Sequence, residues 1–171
     1  MKKLFFFLVG ISLVIGAAAQ NDMKKKPASP PATVSKTIKS GVSVKIDYSQ
    51  PSVKGRTIGK DVEPMDGKVW RAGANKTTLF EISKDATING KQLTAGKYGL
   101  HVLTNNGDWT FIFNKKWDQW GTEYTEADDA LRVTVKSTKP AKFAEKLTYV
   151  IGNDGKVSLS WGDHEAVFTV K

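Results

Sequence analysis

The chain has no cysteine. Disulfides, thiol catalysis, thiolate zinc sites and dithiol redox chemistry are therefore excluded. Histidine is almost as scarce: His101 and His164 are the only two, and they lie far apart in sequence. A zinc site would need both plus a carboxylate, and no ligand spacing supports one. The chain also has no HExxH, no GxSxG and no Gly-rich phosphate loop, so no metal or cofactor is expected. Convincing helical periodicity is missing. Long apolar runs are missing too, with one exception, Leu4 to Ala19.

That run follows Lys2 and Lys3 and ends in Ala17-Ala18-Ala19. A basic start, a short apolar stretch and small residues at its end form the layout of a secretory signal peptide, cut here after Ala19. An uncleaved anchor would need about 20 apolar residues. No second such run follows, so no membrane span is expected in the mature chain, and no cysteine follows to carry a lipid. The expectation is an exported protein, periplasmic or extracellular. Roughly 150 residues then remain, enough for one well-packed domain. Without disulfides, an exported domain must be held together by its core.

The formal net charge is +9, but the excess is local. Between Gln20 and Lys60 there are nine basic residues and two acidic ones; from Asp61 onward there are fifteen of each sign. An export signal and the lack of a basic helix argue against nucleic acid as partner. A basic N-terminal strip facing an anionic envelope surface is the more natural use of that charge. Simple solubility is the blander one. Gln20 to Pro31, "QNDMKKKPASPP", is polar, basic and Pro-rich, and reads as a flexible tether. The domain is expected over 32–171.

What is present is strand pattern. "VSVKIDY" alternates, with Val42, Val44, Ile46 and Tyr48 on one face and Ser43, Lys45 and Asp47 on the other. It is preceded by β-prone "ATVSKTIK" across an Ser-Gly turn. "TTLFEIS", "KYGLHVLT", "DWTFIFN", "ALRVTVK", "EKLTYVI", "KVSLSW" and "EAVFTVK" follow, and Asn89-Gly90 and Asn105-Asn106-Gly107 give hairpin signals. "WTFIF" is apolar on both faces and should lie inside a sheet. Thr125 and Asp128 have the spacing of a capping box, good for one short helical turn. About ten short strands joined mostly to their neighbours predict an all-β fold, an antiparallel β-sandwich or flattened barrel. The one segment without strand pattern is Ser49 to Asn75. Loops that long inside a compact domain usually carry function or lack order, and Val69 and Trp70 argue for order in its second half.

Five stretches, in order, are "YSQPSVKGRTIG", "GKVWRAGANKTT", "INGKQLTAGKYGLHVL", "WTFIFNKKWDQWG" and "LRVTV". Together they resemble the bacterial family called domain of unknown function 2911, from about Ala32 to the C-terminus. The matching positions are Tyr48, Pro51, Lys54, Gly55, Arg56, Trp70, Arg71, Gly73, Ala74 and Asn75. After Gly59 the chain reads "KDVEPMDGK", where family members more often have an apolar, Gly-rich stretch. The resemblance implies an exported, β-rich bacterial protein and no established activity.

The candidate site residues come from these motifs. In an extended segment adjacent side chains point opposite ways, so Trp70 can anchor the loop while Arg71 faces a cleft. Gly73 and Asn75 suit the tight backbone between them. The bland alternative is Arg71 paired with a carboxylate at the core edge such as Asp47. Lys54-Gly55-Arg56 places two cations around a turn, and convergence of Arg56 with Arg71 would favour a dianion or an acidic polymer. Tyr48, His101 and Trp120 complete the set. Trp117, Trp120 and Tyr124 are also the type of loop aromatic that stacks on sugar rings, although packing is their commoner use. The acidic group Glu126, Asp128 and Asp129 lacks the regular oxygen spacing of calcium loops. Three functions are consistent with these residues: a non-enzymatic module binding an anionic or carbohydrate ligand of the cell envelope, a hydrolase using His101 with Arg71 or Lys54, or a structural envelope protein.

Overall fold

A computed structural model describes residues 27–171. The expected signal peptide and most of the expected tether lie outside them. Twelve strands form in chain order: β1 (Pro31–Thr37), β2 (Ser43–Ser49), β3 (Val69–Trp70), β4 (Thr78–Ile82), β5 (Ala86–Ile88), β6 (Lys91–Leu93), β7 (Gly96–Asn105), β8 (Asp108–Asn114), β9 (Asp129–Lys136), β10 (Ala144–Ile151), β11 (Lys156–Gly162) and β12 (His164–Thr169). The only helical turn among the described residues is the three-residue 3₁₀ turn Glu126–Asp128. Thr125 stands at its N-cap but its side chain makes no capping hydrogen bond, so the sequence spacing marks the turn without the reciprocal bonding of a capping box.

Seven strands make one antiparallel sheet in the order β1-β2-β4-β7-β8-β9, with β3 paired to β7 beyond the end of β4. β10-β11-β12 make a second sheet, and β5-β6 a small hairpin. Asn89 and Asn106, at φ near +47° and +49°, make the tight turns of β5-β6 and β7-β8, each followed by glycine; these are the turns whose twist matches a hairpin. The second sheet lies over one face of the first. Val44, Ile46, Phe80, Leu100, Val102, Phe111 and Phe113 face Leu147, Tyr149, Leu159, Trp161 and Phe168 in one buried cluster. The Phe168 ring from β12 stands edge-on to Phe111 and Phe113 at 4.8 and 5.6 Å. Bridges Ser52↔Lys146 and Thr138↔Glu165 close the sandwich along both flanks.

The far face of the large sheet is uneven. Over β1, β2 and β4 it is wet, with Ser35, Lys45 and Glu81 outward. Over β7 and β8 it is covered by the strap from Lys115 to Thr125, so Ile112 and His101 are buried on the outer side. This explains a strand that is apolar on both faces. No helix among the described residues is long and apolar enough to cross a membrane.

Candidate functional site

The site is built by a change of partner along β7. Leu100 pairs with Thr78 of β4, and Val102 pairs with Trp70 of β3. His101 sits between them, where β7 passes from one neighbour to the other. The chain between the two partners, Arg71 to Thr77, must leave the sheet at that point. Strand alternation then fixes the side chains. Trp70 and Thr78 share the core face with Val102 and Leu100; Arg71 and Thr77 share the outer face with His101.

The core side of this excursion is pinned. Trp70 is 4% exposed, and its Nε1 donates to the Gly73 carbonyl at 2.9 Å. The hydroxyls of Thr78 and Tyr149 both donate to the Ala72 carbonyl, at 3.1 and 2.8 Å. Burial pushes the Tyr149 hydroxyl pKa well above its ordinary range, so it stays a donor. Ala72 and Asn75 adopt positive φ, and Asn75 Nδ2 donates to Ser49 Oγ at 3.2 Å and the Ser29 carbonyl at 3.3 Å. The bonds to the Ala72 and Gly73 carbonyls satisfy loop groups that would otherwise be unpaired beneath the surface.

The outer side is pinned much less. Gly99 and Gly121 are the points where the strap descends onto the sheet and the excursion. A Cβ at Gly99 would stand 2.6 Å from the Lys116 carbonyl, 2.9 Å from Thr77 Cγ2 and 3.2 Å from His101 Cε1. At Gly121 it would overlap Arg71 Cδ outright and stand 2.6 Å from the Asn75 carbonyl. Tyr124 closes the far side, its ring centroid 5.1 Å from that of His101. Arg71, Thr77 and His101 thus lie together beneath the strap.

Their polar atoms are unspent. Among the described residues, four buried side-chain nitrogens or oxygens have no hydrogen-bond partner in the protein; three are Arg71 Nε, Thr77 Oγ1 and His101 Nε2. Leaving such a group unpaired costs about 1–3 kcal/mol, so three in one place call for a reason. Arg71 makes no ion pair among the described residues. Asp47, its expected partner, is instead bonded to Lys45 at 2.7 Å and to Thr33 Oγ1 at 2.7 Å, because alternation puts all three on the wet face of β1 and β2. Asp129, on β9, is paired with Arg132 at 2.7 Å and accepts from Tyr124 and Asn114 at 2.8 Å each.

His101 is 1% exposed. Its Nδ1 lies 3.2 Å from the Gly99 carbonyl. A carbonyl only accepts, so Nδ1 carries the proton and Nε2 of the neutral ring is a bare acceptor. Burial pushes its pKa below the ordinary 6.5; the Gly99 bond and Asp129 oppose this, and the Arg71 charge adds to it.

The remaining candidates are distributed. Arg56, Trp70 and Arg71 line one cavity of about 200 Å³ together with Glu63, Gly73 and Trp161. Arg56 spends its Nε and Nη2 on the carbonyls of Val53 and Ser52, at 3.0 and 2.7 Å, so it clasps its own turn. Lys54 is exposed at the same turn, and its backbone N–H donates to Glu145. Tyr48 lies in a second cavity of about 280 Å³ with Lys76, Thr77, Trp117 and Asp118. His101 lines neither. Trp120 rides on the strap, 53% exposed. Thr77 and Gly121 were not among the sequence candidates; alternation back from Thr78 is the signal that finds Thr77, whereas nothing local reveals Gly121. Among the described residues no group of three or more acidic, histidine or cysteine side chains is placed to hold a metal.

The model of one family, described as protein of unknown function (DUF2911), matches residues 29–170. The chain belongs to DUF2911. No curated protein and no solved structure matches it. The DUF2911 match spans every strand from β1 to β12, so the excursion, the strap and β7 are parts of the family domain itself.

Proposed function

We propose that this DUF2911 chain is an exported, non-enzymatic binding module for an anionic or carbohydrate ligand of the cell envelope, with Arg71 as its anchoring cation. One observation carries the reading. Arg71 has its Nε buried without an acceptor, makes no ion pair among the described residues, and lines a cavity beside Trp70 and Arg56. A guanidinium presents a rigid fork of donors suited to carboxylate, phosphate or sulfate, and an uncompensated one is poised for a ligand's charge. The hydrolase alternative draws less support. A general base needs its proton donor within hydrogen-bond reach, and the hydrogen bond His101 makes among the described residues is to the Gly99 carbonyl, not to a hydroxyl or carboxylate.

The test is a thermal-shift and calorimetric screen of the full domain against sulfate, phosphate and uronate sugars. A ligand at a hundredfold excess over its Kd stabilises by about 2.7 kcal/mol, a readily measured shift. Arg71→Ala is expected to keep the strand circular-dichroism signal and lose the shift. If Arg71→Ala and Arg71→Lys both fail to fold, Arg71 is a scaffold residue and the proposal fails.

A further inference from the structure

Three unpaired groups under one strap are a more specific feature than one free cation. We infer that the outer face of the sheet beneath the Lys115–Thr125 strap, where Arg71, Thr77 and His101 meet, is a proton-coupled oxyanion site, in which Arg71 holds the negative charge and His101 takes up a proton as the anion enters. The inference rests on the proposal that Arg71 binds an anion, and it adds the ligand's charge and the proton.

The chemistry follows from the donor set. Arg71 Nε and Thr77 Oγ1 supply donors to an anion's oxygens. Nε2 of neutral His101 is unpaired on the same outer face, and its lone pair would repel an oxyanion brought against it. Taking one proton from solvent turns that repulsion into an Nε2–H donor, while Nδ1–H keeps its bond to the Gly99 carbonyl. Two positive charges, Arg71 and protonated His101, then match a dianion. A monoanion meets either the bare Nε2 lone pair of neutral His101 or, with His101 protonated, leaves one buried charge uncompensated, which is costly. The site therefore selects a sulfate- or phosphate-type dianion over chloride or acetate.

The groups around His101 leave this balance intact. From the excursion it faces Arg71 and Thr77. From the strap it faces Tyr124 and the Lys116 backbone. From β9 it feels Asp129, whose carboxylate is held by Arg132, Tyr124 and Asn114. Arg132 itself is also paired with Glu126, at 3.1 Å. Glu63 lines the cavity beside Arg71, its carboxylate accepting from the Met65 N–H and making no ion pair with Arg71.

Entry requires the strap to lift, and its central attachment is slight. Thr77 N–H donates to the Gln119 carbonyl, and Gly121 N–H to the Asn75 carbonyl, both at 3.3 Å. These are at the long end of the range for N–H···O bonds.

Sulfate is the probe, because it does not titrate near neutrality and any proton bound must go to the protein. Calorimetry is run from pH 6 to 8 in two chloride-based buffers of different ionisation heat. The expected result is uptake of up to one proton per sulfate, with affinity weakening by up to tenfold per pH unit where uptake is complete. His101→Gln should bind sulfate with no proton uptake and a flat pH profile. Nitrogen-15 spectra of wild-type His101 give a readout that needs no variant: Nε2 should move from the bare to the protonated range on adding sulfate. Sulfate binding that depends on Arg71 but takes up no proton, with Nε2 unmoved, overturns this inference and leaves the binding proposal standing. No binding of any anion in the screen, or binding unaffected by Arg71→Ala, overturns both.

Discussion

His101 shows how one position gathers meaning from its neighbours. In sequence it is a lone strand histidine; in the fold it stands where β7 changes partner, buried, with one nitrogen bonded and the other bare. Burial lowers its pKa from 6.5. An unfolded chain takes up the proton near that ordinary value, while the folded ring resists it to lower pH. Between the two values the unfolded state holds more protons, so stability falls as pH drops below about 6.5 and levels off below the folded value. Urea midpoints measured from pH 8 to 5 should show that decline, and His101→Gln should flatten it. Alternation placed Trp70 inward and Arg71 outward correctly from the sequence. It did not exclude the Arg71–Asp47 pair, because which carboxylate an arginine meets is a long-range matter. Asp47 faces the open part of the sheet, and Arg71 faces the covered part.

At the scale of elements, the strap and the Arg71–Thr77 excursion are two irregular segments stacked on a regular sheet. Their contact depends on Gly121, which has no space for a side chain. Gly121→Ala should cost about 1–3 kcal/mol, the usual penalty for overpacking, read as a lower urea midpoint. Adding Arg71→Ala should recover part of that loss but not all, since the Asn75 carbonyl still stands in the way. Full additivity of the two changes would show that strap and excursion do not press on each other. The long strands were legible because their apolar period and turn residues agree. Two-residue β3 was not, because so short a strand has no period; β7 creates it by offering an unpaired edge beyond the end of β4.

Across the whole molecule, a cysteine-free sandwich depends on the contact between its sheets. Phe168 makes the joint from the smaller sheet, standing against Phe80, Phe111 and Phe113. Phe168→Ala should therefore cost about 3–5 kcal/mol. Because it removes a contact between sheets and not within one, fluorescence and circular dichroism should still report a single shared transition at lower denaturant. Two separated transitions would mean that the sheets fold independently.

Composition and period determined the class by themselves. Without cysteine or helical patterning, and with alternating apolar residues between Asn-Gly turns, the chain has an antiparallel sandwich as its way to bury enough surface. The residues worth watching, Trp70 and Arg71 among them, were visible as large or charged side chains in a glycine-bearing loop. Only the tertiary structure decided who stands beside whom. It set Arg71, Thr77 and His101 under one strap, put Tyr48 in a cavity that Thr77 lines but Arg71 and His101 do not, and turned Arg56 back on its own turn. The physical reason is range: side-chain direction follows from adjacent residues, whereas the meeting of positions 71, 101 and 121 depends on strand order and on where a neighbouring strand runs out.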